Sequence, residues 1–322
     1  MNPRLYFTFS AAVLALFAAA LLLPLQSLPA LWGSDPELAG IVITELRLPR
    51  ALLALVYGAV LGASGAAIQA LFANPLASPD ITGATGGAAL GAVFTAYILG
   101  LAGPVAVALG GVTGAGLALG LLLLLAGPRA ETATLLLAGI AISAITGATT
   151  ALALALAPSP FAFYDAYDWL MGSLVDRSLP QLLFAAVPAL AALVYLATRA
   201  RPLDALALGE DTAAAMGHDI TGLRYGVVAA TALGVGAAVS VCGAVGFIGL
   251  VGPVLARRLT AGHPGRAILP AALIGSVLLL SADLAIRFAP PDRSIPVGVL
   301  TAMLGAPFFL WLVARMRWDA KP

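Results

Sequence analysis

The 322-residue chain has few charged residues and very few of the side chains that usually carry chemistry. Charged residues make up 10% of it, whereas an ordinary soluble domain has about 25%. Cys242 is the single cysteine, which excludes an internal disulfide, a CxxC zinc site and a cysteine-ligated iron–sulfur cluster. The two histidines, His218 and His263, both fall in polar connections, so a buried histidine pair that holds haem or a metal is not expected.

Other absences restrict the function further. A P-loop needs a lysine directly after its glycines, and the only lysine is Lys321, so this chain cannot bind ATP in that way. A net charge of +1 leaves no electrostatic footprint for nucleic acid. There is no HExxH motif, and no apolar run holds a pair of carboxylates for acid–base catalysis. We therefore expect neither catalysis nor a bound cofactor or metal.

What the chain has is apolar sequence: 61% of its residues are hydrophobic and its mean hydropathy is +1.03. A spanning helix needs about 20 apolar residues, and long runs without alternation exclude a β-barrel. We predict an all-α integral membrane protein, one domain over residues 1–322, with about ten transmembrane helices. The first run also has features of a signal peptide, but its length favours a helix. The predicted spans are 5–25, 51–72, 81–101, 105–126, 132–156, 181–198, 223–242, 247–259, 268–287 and 295–315.

Lysine and arginine counts orient the chain, because these residues concentrate on the cytoplasmic side. With the N-terminus inside, eleven basic residues fall inside and five fall outside. The acidic residues divide almost evenly. Both termini are therefore predicted to be cytoplasmic.

One carboxylate, Asp283, falls inside an apolar run. An intramembrane acid is a functional hypothesis by default, often a proton relay. Arg287 follows four residues later on the same helical face, so an ion pair near the outer boundary is the favoured interpretation.

Arginines also mark the outer ends of the predicted spans. Arg47 and Arg50 flank a Leu-Pro pair before the second span, and Arg287 and Arg293 lie around the last two. From the residues alone, interfacial snorkelling and a docking surface for an acidic partner remain equally favoured.

The cytoplasmic connection 200–222 carries a short helical pattern. Asp211 or Thr212 is predicted to start a helix and Gly217 to end it. Such a helix between two spans either fits a groove of a soluble partner or serves as a connection, and spacing does not decide between them.

Six short motifs follow one another along the chain: RLPR at 47–50, NPLASPD at 74–80, LLLAG at 135–139, GAVGFIGLV at 243–251, PVG at 296–298 and GAP at 305–307. Taken in order, they resemble the membrane permease subunits of binding-protein-dependent ABC importers (type II importers) for iron–siderophores, haem and vitamin B12. The match covers nearly the whole chain.

The resemblance implies a homodimer in the bacterial inner membrane, with its path along the two-fold axis. It also implies two cytoplasmic ATPase subunits, which bind ATP and Mg, and a periplasmic binding protein that delivers the substrate. It assigns the site residues as follows. Binding-protein docking falls to Arg47, Arg50 and Arg287, with Arg293 beside them; ATPase coupling falls to Leu208, Gly209, Glu210, Asp211, Ala214, Met216, Gly217 and His218; and the cytoplasmic gate falls to Thr132 and Ala133, where the family has a serine in place of alanine.

The resulting expectation is the permease of an importer for an iron chelate. Family membership alone orders the substrates as haem first, a siderophore second and vitamin B12 third. The alternative is an ion- or proton-coupled secondary transporter, which would place a charged site near the midplane. Asp283 lies toward the outer edge and no carboxylate is expected near the middle, so the importer is favoured. A structural anchoring bundle would leave the charged connections unexplained.

Overall fold

The computed structural model describes residues 3–23, 32–127, 132–157, 159–289 and 295–319. Within these ranges the chain forms helices and short connections, with no strand. The helices are α1 (Pro3–Leu22), α2 (Pro36–Leu71), α3 (Ala84–Ile98), α4 (Pro104–Ala126), α5 (Thr132–Ala155), α6 (Pro160–Leu170), α7 (Leu179–Thr198), α8 (Ala200–Leu206), α9 (Glu210–Ala215), α10 (Ile220–Cys242), α11 (Ile248–Leu259), α12 (Ile268–Ile286) and α13 (Val297–Asp319).

The all-helical membrane architecture is confirmed. In the described part of the chain, six helices are long and apolar enough to cross a membrane: α2, α4, α5, α7, α10 and α12. Shorter apolar segments lie in α1, α3 and α13, and α11 has 12 residues. The ten-span count therefore stays a prediction.

Helix α2 begins much earlier than its hydropathy indicates. The prediction placed a polar connection before residue 51, but the helix runs unbroken from Pro36. The Asp35 side chain accepts a hydrogen bond from the Leu38 amide at 3.0 Å, and Pro36 occupies the first turn, where its missing N–H costs nothing. Residues Val42–Arg47 form a π-helical segment. The cap at Asp35 and Pro36 therefore starts a helix in a stretch whose polarity had predicted a connection.

Close backbone contact holds α2 against α12. A Cβ atom added at Gly58 would overlap the backbone of Gly275, and one at Gly62 would overlap Ala271. In lipid the hydrophobic drive between helices is small, so such contacts supply the packing. Gly58 and Gly62 are four residues apart, so they lie on the same face of α2 and both contact α12.

Close backbone contact at glycines also joins α3 to α4, but it does not extend along the whole of α4. Gly87 packs on Gly114, and Gly91 packs on Gly110. At Gly116 and Gly120, which have the same spacing, an added Cβ would meet nothing within 4 Å. Within the subunit, none of the described residues covers that face of α4.

Two helices begin inside the bundle instead of at its ends. After α2 the chain turns back through a short 3-10 turn, Pro79–Thr82, and Gly83 (φ 76°) starts α3. Helix α11 starts beside that turn, since Gly249 faces Pro79. At its own start Phe247 adopts φ 66°, an uncommon conformation for a bulky residue.

The two ends of α12 mark the two ends of the bundle. Near its start the Gly265 amide donates to Asp204 of α8 at 2.8 Å, and near its end lies Asp283. We call these the α9 end and the arginine end.

Candidate functional site

The arginine end contains a buried ion cluster. Asp283 is 1% exposed, and its carboxylate accepts from Arg50 Nε at 2.7 Å and from Arg287 Nη2 at 2.7 Å. The predicted Asp283–Arg287 pair is confirmed. The bond from Arg50 was not predicted, because 233 positions separate the two residues and only the fold brings them together.

Two of the arginines also satisfy the free carbonyl groups at the end of α1. Arg47 Nη1 donates to the Leu21 carbonyl oxygen at 3.0 Å, and Arg287 Nη1 donates to the carbonyl oxygen of Ala20. The last carbonyls of a helix lack partners within it and carry partial negative charge. Three guanidinium groups and one carboxylate thus tie α1, α2 and α12 together, and we call Arg47, Arg50, Asp283 and Arg287 the arginine cluster.

These contacts determine how much charge the predicted docking arginines expose to a partner protein. Arg50 and Arg287 expose 18% and 7% of their side chains, so their charge is largely used within the subunit. Arg47 is half-exposed. Arg293 lies outside the described residues. The docking role of all four stays a prediction.

At the α9 end, two left-handed glycines isolate the short predicted helix. Gly209 has φ 106° and Gly217 has φ 86°, conformations that glycine adopts without steric cost. Between them α9 spans Glu210–Ala215. It begins one residue before the predicted Asp211, and Gly217 ends it as predicted.

The surface of this segment combines a fixed base with exposed apolar side chains. Ala213 is fully buried, and Glu210 accepts from Arg224 Nη2 at 2.7 Å. Leu208 and Met216 are 67% and 58% exposed. Asp211 and Ala214 are exposed as well, and His218 is half-buried. Beside them opens a cavity of about 570 Å³, lined by Arg201, Asp204, Leu208, Met216, His218, His263 and Arg266 among others.

The predicted gate residues lie at the start of α5. Ala133 is exposed in the first turn of the helix. The side chain of Thr132 lies outside the described residues. The gate therefore stays a prediction.

A carboxylate that sequence reasoning missed lies halfway along the bundle. Ser143 is the twelfth of the 24 residues of α5, and its Oγ donates to the Asp80 carbonyl oxygen at 3.0 Å. The Asp80 carboxylate is exposed and accepts from Thr85 Oγ1 at 2.8 Å. The expectation of no carboxylate near the middle is wrong, because the connection after α2 folds back into the bundle. The one local signal was Gly83, a residue type that permits the positive φ found at this turn.

Metal-ligating side chains do not gather in the described part of the chain. No three His, Cys, Asp or Glu residues there lie close enough together to hold an ion. Cys242 is fully buried at the end of α10.

Comparisons with known proteins give a consistent result over nearly the whole chain. The sequence pattern of the FecCD transport family matches residues 7–315. The vitamin B12 import system permease protein BtuC of Vibrio cholerae is 41% identical over 285 residues, which cover 85% of this chain and 83% of that protein. BtuC of Salmonella typhimurium is 39% identical over 278 residues, with the same coverage of 85% and 83%. A solved structure, an inward-facing conformation of a metal-chelate type ABC transporter, superimposes with a TM-score of 0.86 at 29% identity and covers 98% of this chain and 100% of its own.

Proposed function

Because this chain belongs to the FecCD transport family, as an importer permease of the metal-chelate or vitamin B12 type, we propose that its substrate is a corrinoid of the vitamin B12 kind. The observation that carries this proposal is the 41% identity to a vitamin B12 permease over most of both chains. The expected order of substrates, with haem first, rested on family membership alone and on no residue of the sequence. The relatives move the corrinoid ahead of haem and of siderophores.

The chemistry of the described residues agrees with this order. Proteins that hold haem tightly usually supply an axial ligand such as His, Cys or Tyr. His218 and His263 lie at the α9 end and Cys242 is fully buried, so neither histidine nor cysteine offers such a ligand midway along the described bundle. A weakly polar path suits a bulky substrate that must leave as readily as it enters.

Substrate-stimulated ATP hydrolysis in proteoliposomes tests the proposal. ATP hydrolysis by the complete complex, with its ATPase and binding protein, is measured with cyanocobalamin, with haem and with a ferric siderophore. We expect cyanocobalamin to give the largest stimulation and accumulation. Stimulation by haem or the siderophore alone would contradict the corrinoid proposal while leaving the importer intact.

We propose that α9 and its flanking residues couple the permease to the ATPase. The support is a short helix between two glycines of positive φ, Gly209 and Gly217, with two exposed apolar side chains beside it. Replacing both Leu208 and Met216 with glutamate should leave the subunit folded, since both are exposed, and should abolish capture of the ATPase. The same double exchange at the exposed Val175 and Leu179, around the start of α7, serves as the control for altered surface polarity. Capture at wild-type levels would refute the coupling role.

Docking of the binding protein at the arginine end calls for a narrower test than replacement of all the arginines. Glutamate at Arg50 or Arg287 would break the bonds to Asp283, so lost delivery would only report misfolding. Arg47→Gln removes a half-exposed charge that does not bond to Asp283. We expect slower association and a weaker salt dependence, because exposed charges steer encounter. Arg177→Gln in another connection is the control, and an unchanged association rate for Arg47→Gln would argue against docking there.

One observation favours a second candidate, proton-coupled transport by this chain: the exposed Asp80 carboxylate halfway along the bundle. The importer assignment predicts transport that needs ATP and continues after an ionophore removes the proton gradient. Transport by this chain alone, driven by an imposed pH gradient and abolished by Asp80→Asn, would instead establish proton coupling.

A further inference from the structure

Asp80 occupies an unusual position for a carboxylate in this molecule. Its carbonyl oxygen is bonded to Ser143, at the midpoint of α5, so it lies about half a membrane thickness from either end of that helix. Its side chain is nevertheless exposed on the surface of the subunit. A charge at this depth against lipid tails is costly, and such residues face a bundle interior or a water-filled cavity.

The local contacts leave the charge of Asp80 uncompensated. Thr85 Oγ1 donates to one carboxylate oxygen at 2.8 Å, and Ser78 Oγ lies 3.4 Å from the other. No lysine or arginine of the described residues forms an ion pair with it, whereas the other deep carboxylate, Asp283, has two arginines. Asp283 is thus a structural charge, and Asp80 presents an anionic acceptor outward.

The surroundings of Asp80 are built from hydroxyl groups. Ser78, Thr85 and Ser143 each place an oxygen on this part of the surface, and each donates to Asp80 itself. Together they form a small polar patch where the turn before α3 meets α5, a helix whose other exposed positions are mostly apolar. Only water or a polar ligand can satisfy the remaining lone pairs of the carboxylate at this depth.

We propose that Asp80 faces the substrate path and acts there as a charge-selecting residue. This inference rests on the proposed importer function. A fixed carboxylate accepts hydrogen bonds from carboxamide N–H groups, which line the rim of a corrinoid, and repels the carboxylates of haem. The path therefore favours neutral, donor-rich substrates over anionic ones at its midpoint.

The placement is tested by thiol accessibility in the assembled complex, in liposomes. Asp80→Cys is treated with a membrane-impermeant cationic methanethiosulfonate, and Ser143→Cys serves as a second variant in case the first does not fold. Val187→Cys is the control: Val187 is 62% exposed and is the ninth of the 20 residues of α7, so it lies at a comparable depth on another helix. Cys242 is fully buried and gives no background.

We expect reaction at Asp80→Cys or Ser143→Cys and none at Val187→Cys. A folded Asp80→Cys variant that is as unreactive as Val187→Cys would overturn the proposal, because residue 80 would then face lipid or a dry interface.

Charge selection is tested by transport in the Asp80→Asn variant. Relative to wild type, we expect the ratio of cyanocobalamin to haem transport to fall by about fivefold or more, as the loss of a charge-assisted hydrogen bond and of the repulsion predicts. An unchanged ratio would overturn charge selection. If the wild-type complex moves neither compound while Asp80→Cys still reacts, the proposed function fails but the water-accessible placement of Asp80 is supported.

Discussion

Helices α2 and α5 are similar in composition and differ in what surrounds them. The regular part of α2, Leu48–Leu71, and the whole of α5 both have 24 residues and are strongly apolar. Yet 83% of the most apolar window of α2 is buried within the subunit, against 28% for α5. Hydropathy therefore identifies helices that can enter a membrane, but not which of them a neighbouring helix of the same chain covers.

The difference arises from small residues and from their partners. Three glycines of α2, at 58, 62 and 65, each meet the backbone of another helix. Helix α5 buries one stripe, formed by Leu135, Gly139, Ile142, Thr146, Thr150 and Ala153. Its remaining face is free for lipid, for a second copy of the chain or for the substrate path.

The largest effect is expected where α2 is joined to α12 by charge. Asp283→Asn leaves Arg50 and Arg287 without their shared counter-ion in a buried site. We expect a loss of about 3–5 kcal/mol in the free energy of unfolding, measured by denaturation in detergent micelles. Asp219→Asn, where asparagine can still cap α10, is the matched control. Equal stability of the two variants would show that the cluster does not hold α2 in place.

Glycine substitutions test the packing difference directly. Gly62→Ala forces a methyl group onto the Ala271 carbonyl, whereas an added Cβ at Gly147 of α5 meets nothing within 4 Å. We expect a cost of about 1–3 kcal/mol for Gly62→Ala and a change within about 0.5 kcal/mol for Gly147→Ala in the same denaturation experiment. A reversed order would mean that α5, not α2, is the packed centre.

A large side chain on α5 tests whether a second copy of the chain packs against that helix in the membrane. Gly147→Trp should leave the stability of the isolated subunit unchanged, since the position is open. If a second copy packs there, the variant should shift the mass in light scattering from dimer to monomer. Dimerisation at wild-type strength would exclude this position from a tight interface.

The smallest difference in stability is expected between two serine-to-carbonyl hydrogen bonds. Ser276 Oγ of α12 donates to Leu55 of α2 at 2.8 Å and is buried, whereas the Ser143 bond to Asp80 is exposed. We expect Ser276→Ala to cost about 0.5–1.5 kcal/mol in the free energy of unfolding and Ser143→Ala to cost less. A larger loss for Ser143→Ala would show that the turn before α3 is a rigid part of the fold.

Local signals were readable from the sequence. The helical class, the short helix ended by Gly217 and the Asp283–Arg287 pair depend on neighbours within a few residues, and they were predicted. Arg50 reaches Asp283 only through the tertiary fold, and Asp80 lies deep only because its connection turns back. The early start of α2 was readable in principle, because Asp35 and Pro36 form an N-terminal capping signal that hydropathy conceals.

The bond between Arg50 and Asp283 also constrains how the chain is made. The two residues are 233 positions apart, and at synthesis rates of about 5–20 residues per second Arg50 leaves the ribosome roughly 10–50 s before its partner. During that interval the guanidinium group of Arg50 lacks its carboxylate partner. This favours a position of α2 that keeps Arg50 at the level of the lipid headgroups until α12 has been synthesised. The second helix to be synthesised would therefore reach its final depth only near the end of insertion.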